Sequence, residues 1–270
     1  QYRSPLILSL PVSTRAAGLG GASAALSGDA SAVFLNPAGL ATIRNIAIEG
    51  AIQRYPDGSV EAMGAGAFRL LQFDFGGGFH YLRFSDTSSV RDNLVWSGSA
   101  VYRVGLLAAG ATLKYISLSD SAGAAQRTAT MDLGVGIHVF DLMTLAFDAR
   151  NINDWRVSGP SLPLPVSKRA AFAFNFTDPQ ETIRLLGTME VVWTDREPRR
   201  TVLGVEAGAV LGRVGLVARL GYGAQPQGSG QKEVSLGAGV VLSRFNIDYA
   251  WQRRTLLGRE VHRLGLRFTL

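Results

Sequence analysis

From Asn45 to Leu270 the chain alternates, residue by residue, between apolar side chains and small or polar ones. Val234, Leu236, Ala238, Val240 and Leu242 share one face of an extended segment; Ser235, Gly237, Gly239 and Ser243 share the other. Phe245, Ile247, Tyr249 and Trp251 repeat the pattern, as do Leu264, Leu266, Phe268 and Leu270. A period of two is the signature of a strand with two unlike faces. Although 47% of the residues are apolar, no run reaches the ~18–20 consecutive apolar residues of a membrane helix. In lipid every backbone N–H and C=O needs a partner, so only helices and closed barrels cross. A chain this apolar without a helical span is therefore expected to close into a membrane barrel.

Fourteen alternating segments can be marked: 45–54, 59–70, 71–83, 92–103, 105–117, 127–139, 142–152, 168–176, 182–194, 200–211, 213–222, 232–242, 244–252 and 261–270. Each is about ten residues long, as a tilted membrane strand requires. The second alternates least clearly. Short connections (Leu70–Leu71, Val104, Phe140–Asp141, 177–181, Gly212, Ser243) take turns with longer ones (84–91, 118–126, 153–167, 195–199, 223–231, 253–260) along nearly the whole chain. Bacterial barrels show this asymmetry, with short periplasmic turns and longer outer loops. The expected fold is all-β, a 14-stranded antiparallel transmembrane barrel over 44–270 with a hatch over 1–43 and both ends periplasmic.

A soluble sandwich would also alternate, but its polar face would be bulky and charged. Here the face opposite the apolar one is rich in Gly, Ser, Thr and Ala, which suits a crowded lumen. The expected lumen face also carries Glu49, Gln53, Asp74, His80, Arg103, Lys114, Asp132, His138, Asp148, Arg150, Arg184, Glu190, Glu206, Arg219, Asp248, Arg263 and Arg267. Both signs occur, so salt bridges that stiffen the wall and seat a plug are expected more than a selective ion path. Aromatics near segment ends, from Tyr55 and Tyr81 to Trp193 and Trp251, suit interfacial girdles.

The net charge is +6, but the arginines are scattered singly and form no stripe for nucleic acid. Membrane lipids and lipopolysaccharide are the expected partners, with Arg196, Arg199, Arg200, Arg253, Arg254 and Arg259 at the outer rim. Cysteine is absent, which rules out disulfides and thiolate metal sites. The three histidines, His80, His138 and His262, have no metal-ligand spacing. No Gly-x-Ser-x-Gly elbow occurs, and Gly18-Leu19-Gly20-Gly21 lacks the lysine of a phosphate loop. We expect no enzyme, cofactor or metal. The start at Gln1, without a charged-then-apolar leader, suits a mature secreted chain.

Two local motifs are sharper. Arg263-Leu-Gly265-Leu-Arg267-Phe268-Thr-Leu270 looks like the signal by which the barrel-assembly machinery recognises last strands, carried by Gly265, Phe268 and Leu270. Before the first strand the chain reads Gly18-Leu-Gly20-Gly21, then Asp29-Ala-Ser-Ala-Val-Phe-Leu, then Asn36-Pro37-Ala-Gly39-Leu40. Asp29 or Ser31 is placed to cap a short helix, Asn36-Pro37 to end it, and Gly39 to turn into the first strand. Over about residues 13–43 this resembles the opening of the PorV/PorQ family and, more distantly, the FadL family of outer-membrane barrels. The resemblance implies a 14-stranded barrel in the bacterial outer membrane whose N-terminal segment folds into the lumen as a hatch.

It also implies two functions. A PorV-like accessory subunit would bind a larger outer-membrane or secreted protein, as in type IX secretion. A FadL-like barrel would carry hydrophobic small molecules. Long outer loops build the ligand groove of FadL-type barrels. The loops here are short, the longest being 153–167 with Val157, Leu162 and Leu164, which favours the accessory reading on a fold-level argument.

Overall fold

A computed structural model describes residues 5–85, 90–120, 124–140, 142–160, 162, 164–195, 197–224, 232–253, 257 and 260–270. The strands are β1 (Ile46–Arg54), β2 (Val60–Leu70), β3 (Phe73–Arg83), β4 (Val90–Val104), β5 (Leu107–Asp120), β6 (Ala125–Val139), β7 (Met143–Arg150), β8 (Trp155–Ser158), β9 (Ser167–Thr177), β10 (Ile183–Thr194), β11 (Arg200–Leu211), β12 (Val214–Ala224), β13 (Lys232–Leu242), β14 (Phe245–Gln252) and β15 (Val261–Thr269). Fourteen of them form an antiparallel meander, each beside its sequence neighbour, and β1 closes on β15 from Ala47↔Thr269 to Arg54↔His262. Closure leaves no unpaired edge. The fifteenth, β8, lies in the longest loop and pairs only with the far end of β6.

The alternation is inverted relative to a soluble protein. Along β1, Ile48 is 53% exposed while its neighbour Glu49 is 3% exposed. Leu113, Leu203, Leu220 and Leu264 likewise face out, and Lys114, Glu206, Arg219 and Arg263 face in. An apolar exterior around a polar interior is stable only with lipid outside. No helix among the described residues is long and apolar enough to cross a bilayer.

The connections set the two ends apart. At one, two-residue turns join β2–β3, β4–β5, β11–β12 and β13–β14. Their first residues, Leu71, Gly105, Gly212 and Ser243, have positive φ, the conformation with which primed turns match strand twist. The β9–β10 turn is longer and is tied by Asp178, whose carboxylate accepts the Ile183 N–H (2.6 Å) and the Thr182 hydroxyl (2.8 Å). These bonds, the Ile183 N–H above all, hold that carboxyl below the usual carboxylate range. We call this the turn end and the opposite one the loop end.

The wall has one irregularity. β7 stops at Arg150, Asn151 takes a φ of 54°, and the strand resumes as β8. Asparagine tolerates this left-handed geometry better than most residues. Side chains patch the gap: Asp132 accepts the Asn151 N–H (2.8 Å) and Asn153 accepts the Met131 N–H (3.0 Å).

Residues 5–43 fill the lumen as a plug of short turns: 3-10 turns over Leu6–Ser9, Ala30–Val33 and Pro37–Thr42, and one helical turn, α1 (Thr14–Gly18). Both ends were expected on the turn side, but the first described residues lie at the loop end. Leu6, Ile7 and Leu10 pack there with Tyr55, Leu82, Val95, Ile116, Leu162 and Val261. The chain then descends along β12–β15 through α1, crosses the lumen, and leaves at the turn end through Ile43 into β1. A path folded back inside a barrel leaves no periodicity from which to read it.

Candidate functional site in the plugged lumen

The plug meets the wall backbone to backbone, and glycines make this possible. A Cβ on Gly221 of β12 would lie 1.9 Å from the Gly20 nitrogen, and one on Gly134 of β6 would lie 2.0 Å from Asn36 Oδ1. Gly20 itself has a φ of 72°, which only glycine adopts freely. Gly265 faces Thr14, with 2.4 Å from its hypothetical Cβ to the hydroxyl oxygen. This residue of the expected assembly signal therefore also has a reason in the finished fold. The Phe268 ring lies 5.0 Å from that of Phe245, tilted against it on the outer face, and the Leu270 N–H donates to the Ile46 carbonyl (2.8 Å) across the closing seam.

Charge fixes what the glycines admit. Arg15 of α1 pairs with Asp29 (2.9 Å) and Glu206 (2.9 Å); Arg219 pairs with Glu206 (2.6 Å) and Asp248 (2.7 Å); Arg267 pairs with Asp248 (2.7 Å) and Asp29 (2.5 Å). The six groups close a ring of alternating sign. Two members belong to the plug and four to β11, β12, β14 and β15. Every side chain in it is at most 11% exposed. A buried charge without a partner is costly, so each member depends on the others.

A second clamp holds the crossing segment. Glu190 accepts the Ser23 and Ala24 N–H groups at 2.8 Å, while Arg169 bonds Asp148 (2.9 Å), the Ser23 hydroxyl (3.0 Å) and the Leu35 carbonyl. Beside it Lys114 joins Asp132 (2.8 Å), and Arg150 donates to the Phe34 carbonyl (2.8 Å). Nearer the loop end, Glu61 accepts from Arg263, His80 and the Tyr55 hydroxyl, and Arg263 also donates to Gln53 (2.7 Å) and the Val12 carbonyl (2.6 Å). Toward the turn end Asp74 bonds Arg69 (2.9 Å) and Arg103 (2.7 Å). Below the plug a cavity of about 810 Å³ opens at that end, lined in part by Arg44, Arg184 and His138.

All the residues expected on the lumen face point inward, with Arg184 exposed at the mouth. Glu61 and Arg169 were missed, and both are central. On β2 the inward Glu61, Met63, Ala65 and Ala67 alternate with outward Ala62, Gly64 and Gly66, so neither face contrasts with the other. Arg169 adjoins the outward Lys168 at a strand start, where parity is hardest to assign.

Several expectations need correction. Arg200 stands at the loop end as the first residue of β11, but it faces inward with Val202 and Glu206. Arg199 and Arg253 are exposed at the loop end; Arg196, Arg254 and Arg259 lie outside the described residues. Tyr55 is buried beside Glu61 and is no part of a girdle. Asp29 caps no helix with its side chain, because Arg15 and Arg267 take its oxygens. Asn36 begins a turn instead of only ending one, accepting the Ala38 N–H (3.1 Å) with Pro37 in the first position. Gly39 serves close packing, its hypothetical Cβ lying 3.1 Å from Ala32 and 3.2 Å from the Leu26 carbonyl. Among the described residues no cluster of three or more His, Asp or Glu side chains is arranged to hold a metal.

These features define a closed 14-stranded barrel with an internal plug, the architecture of the FadL-like outer-membrane barrels. Three solved structures share it. A monoaromatic hydrocarbon channel, CymD, superposes over 99% of this chain and 99% of its own with a TM-score of 0.68 at 14% identity. The toluene transporter TbuX of Ralstonia pickettii matches over 96% and 98% (TM-score 0.65, 12% identity), and a Pseudomonas aeruginosa FadL homologue over 95% and 98% (0.63, 13%). No protein-family model and no curated relative matches the chain. At these identities the likeness is one of fold. It bears on the FadL side of the sequence resemblance.

Proposed function

We propose that this barrel passes hydrophobic small molecules across the bacterial outer membrane. The observation that carries the reading is the apolar cluster packed at the loop end of the lumen. There Leu6, Ile7 and Leu10 of the plug sit among Leu82, Val95, Ile116 and Leu162. Such apolar walls suit an apolar ligand, with the plug's first turn packed where a ligand would sit. The short 153–167 loop contributes Leu162 to it, so a compact loop set does not exclude a ligand site. The charge-laced plug below blocks free passage of hydrophilic solutes.

The neighbours named as hydrocarbon channels and toluene transporters support this reading over the accessory-subunit one. The test is uptake of radiolabelled toluene by cells carrying the chain in their outer membrane. Faster uptake than in cells without it is expected. Unchanged uptake, together with a stoichiometric protein partner on native purification, would return the balance to the accessory reading.

A further inference from the structure

Three basic side chains gather on the outer wall near the loop end. Arg54 of β1 lies across from His262 of β15 on one side and from Val60 of β2 on the other, and Val60 lies across from Arg83 of β3. Their chain neighbours Gln53, Glu61, Leu82 and Arg263 are buried, so Arg54, Arg83 and His262 face outward, and all three are exposed. With strands about 4.8 Å apart, the Arg54 and Arg83 Cα atoms stand about 10 Å from each other. Neither guanidinium makes a hydrogen bond or an ion pair among the described residues. His262 Nδ1 is bonded to the Tyr249 hydroxyl (2.7 Å), which leaves Nε2 open. Of the carboxylates nearby, Asp57 holds Ser59, Asp92 accepts the Tyr81 hydroxyl (2.5 Å), and Glu260 lies two positions beyond His262. Toward the turn end the same outward face becomes apolar. A groove of about 570 Å³ runs there, lined by Ile48, Gly50, Ile52, Ile247, Leu264 and Leu266. Gly50 keeps it open: a Cβ there would meet nothing nearer than the Met63 carbonyl oxygen, at 3.7 Å.

Free arginines at the head of an apolar groove match an anionic group joined to a hydrocarbon chain. The guanidinium fork suits a phosphate, to which it donates two parallel hydrogen bonds. In bacterial barrels the longer loops face outside, so the three basic side chains stand level with the headgroups of the outer leaflet. The lipid A of that leaflet carries phosphates above its acyl chains. We propose that this face of the barrel docks one lipid A molecule, with a phosphate held between Arg54 and Arg83 and with His262 as a further donor. An acyl chain lies in the groove over β1, β15 and β14. Charge complementarity selects this lipid over a zwitterionic one. The site is on the outside of the wall and does not depend on what the lumen carries.

The test is native mass spectrometry of the full chain in neutral detergent, titrated with diphosphoryl lipid A in the presence of EDTA so that no divalent cation bridges the phosphates. Wild type should hold one lipid A. It should bind at least about tenfold more tightly than the double variant Arg54→Gln/Arg83→Gln, the least that losing a charge-assisted hydrogen bond gives. Lipid A stripped of both phosphates should lose as much affinity for wild type. Gly50→Phe fills the groove and should weaken both forms of lipid A with the arginines intact. An unheated gel shift verifies that each variant barrel is folded. Equal affinity of wild type and the double variant, dephosphorylated lipid A bound as tightly as the phosphorylated form, or phosphatidylglycerol bound as tightly as lipid A would each overturn the assignment. Undiminished binding by Gly50→Phe would overturn the seat for the acyl chain.

Discussion

Asp29 shows how a residue's role can lie beyond its neighbourhood. Its local sequence, Gly28-Asp29-Ala30-Ser31, reads as a helix cap, yet its carboxylate pairs with Arg15, 14 positions away, and with Arg267, 238 positions away. Local propensity registers the cap; only the closed barrel brings the second partner within reach. Asp29→Asn leaves Arg15 and Arg267 with one carboxylate each in a buried ring. Removing one member of such a set costs about 3–5 kcal/mol. The plug should then become cleavable by added protease at concentrations that spare wild type, with a lower melting temperature. A variant as protected as wild type would show the ring to be dispensable. Gly221 is the corresponding test of backbone contact. Gly221→Val places side-chain atoms where the Gly20 nitrogen now lies. We expect α1 to be displaced from β12 and the plug to become protease-sensitive, while the heat-stable gel migration of the barrel persists. Wild-type protection of the plug would refute the seam.

At the scale of elements the sequence was most informative where two unlike faces alternate. β11, β13 and β15 lie within a residue of their expected spans, because Leu, Val and Phe mark the outside and Gly, Ser and Arg the inside. Parity also sent Glu206, Arg219 and Asp248 to the lumen, although not to one another. Where the contrast fails, so does the reading. β2 alternates Ala and Gly against Ala and Met, and Glu61 went unnoticed. β8 and the Asn151 break were invisible too: four residues of strand inside a loop carry too little pattern, and the side chains that mend the break are an ordinary aspartate and an ordinary asparagine. The plug is the extreme case. Its Gly-rich, motif-bearing sequence pointed to a hatch, but turns of four to six residues held by wall contacts have no periodicity of their own.

The whole molecule is a wall whose inner face is written to receive its own N-terminal segment. Glycines make room on β6, β12 and β15, arginines and carboxylates close the ring, and an apolar cluster packs the loop end, with a cavity lined in part by arginines at the other. Function at this scale depends on the plug being a seal. The direct measurement is ion conductance in a planar bilayer, comparing the intact chain with one lacking residues 12–43. The intact barrel should be nearly silent and the deletion should open a steady, large conductance through the polar lumen. A steady pore in the intact chain, or silence after the deletion, would contradict the account.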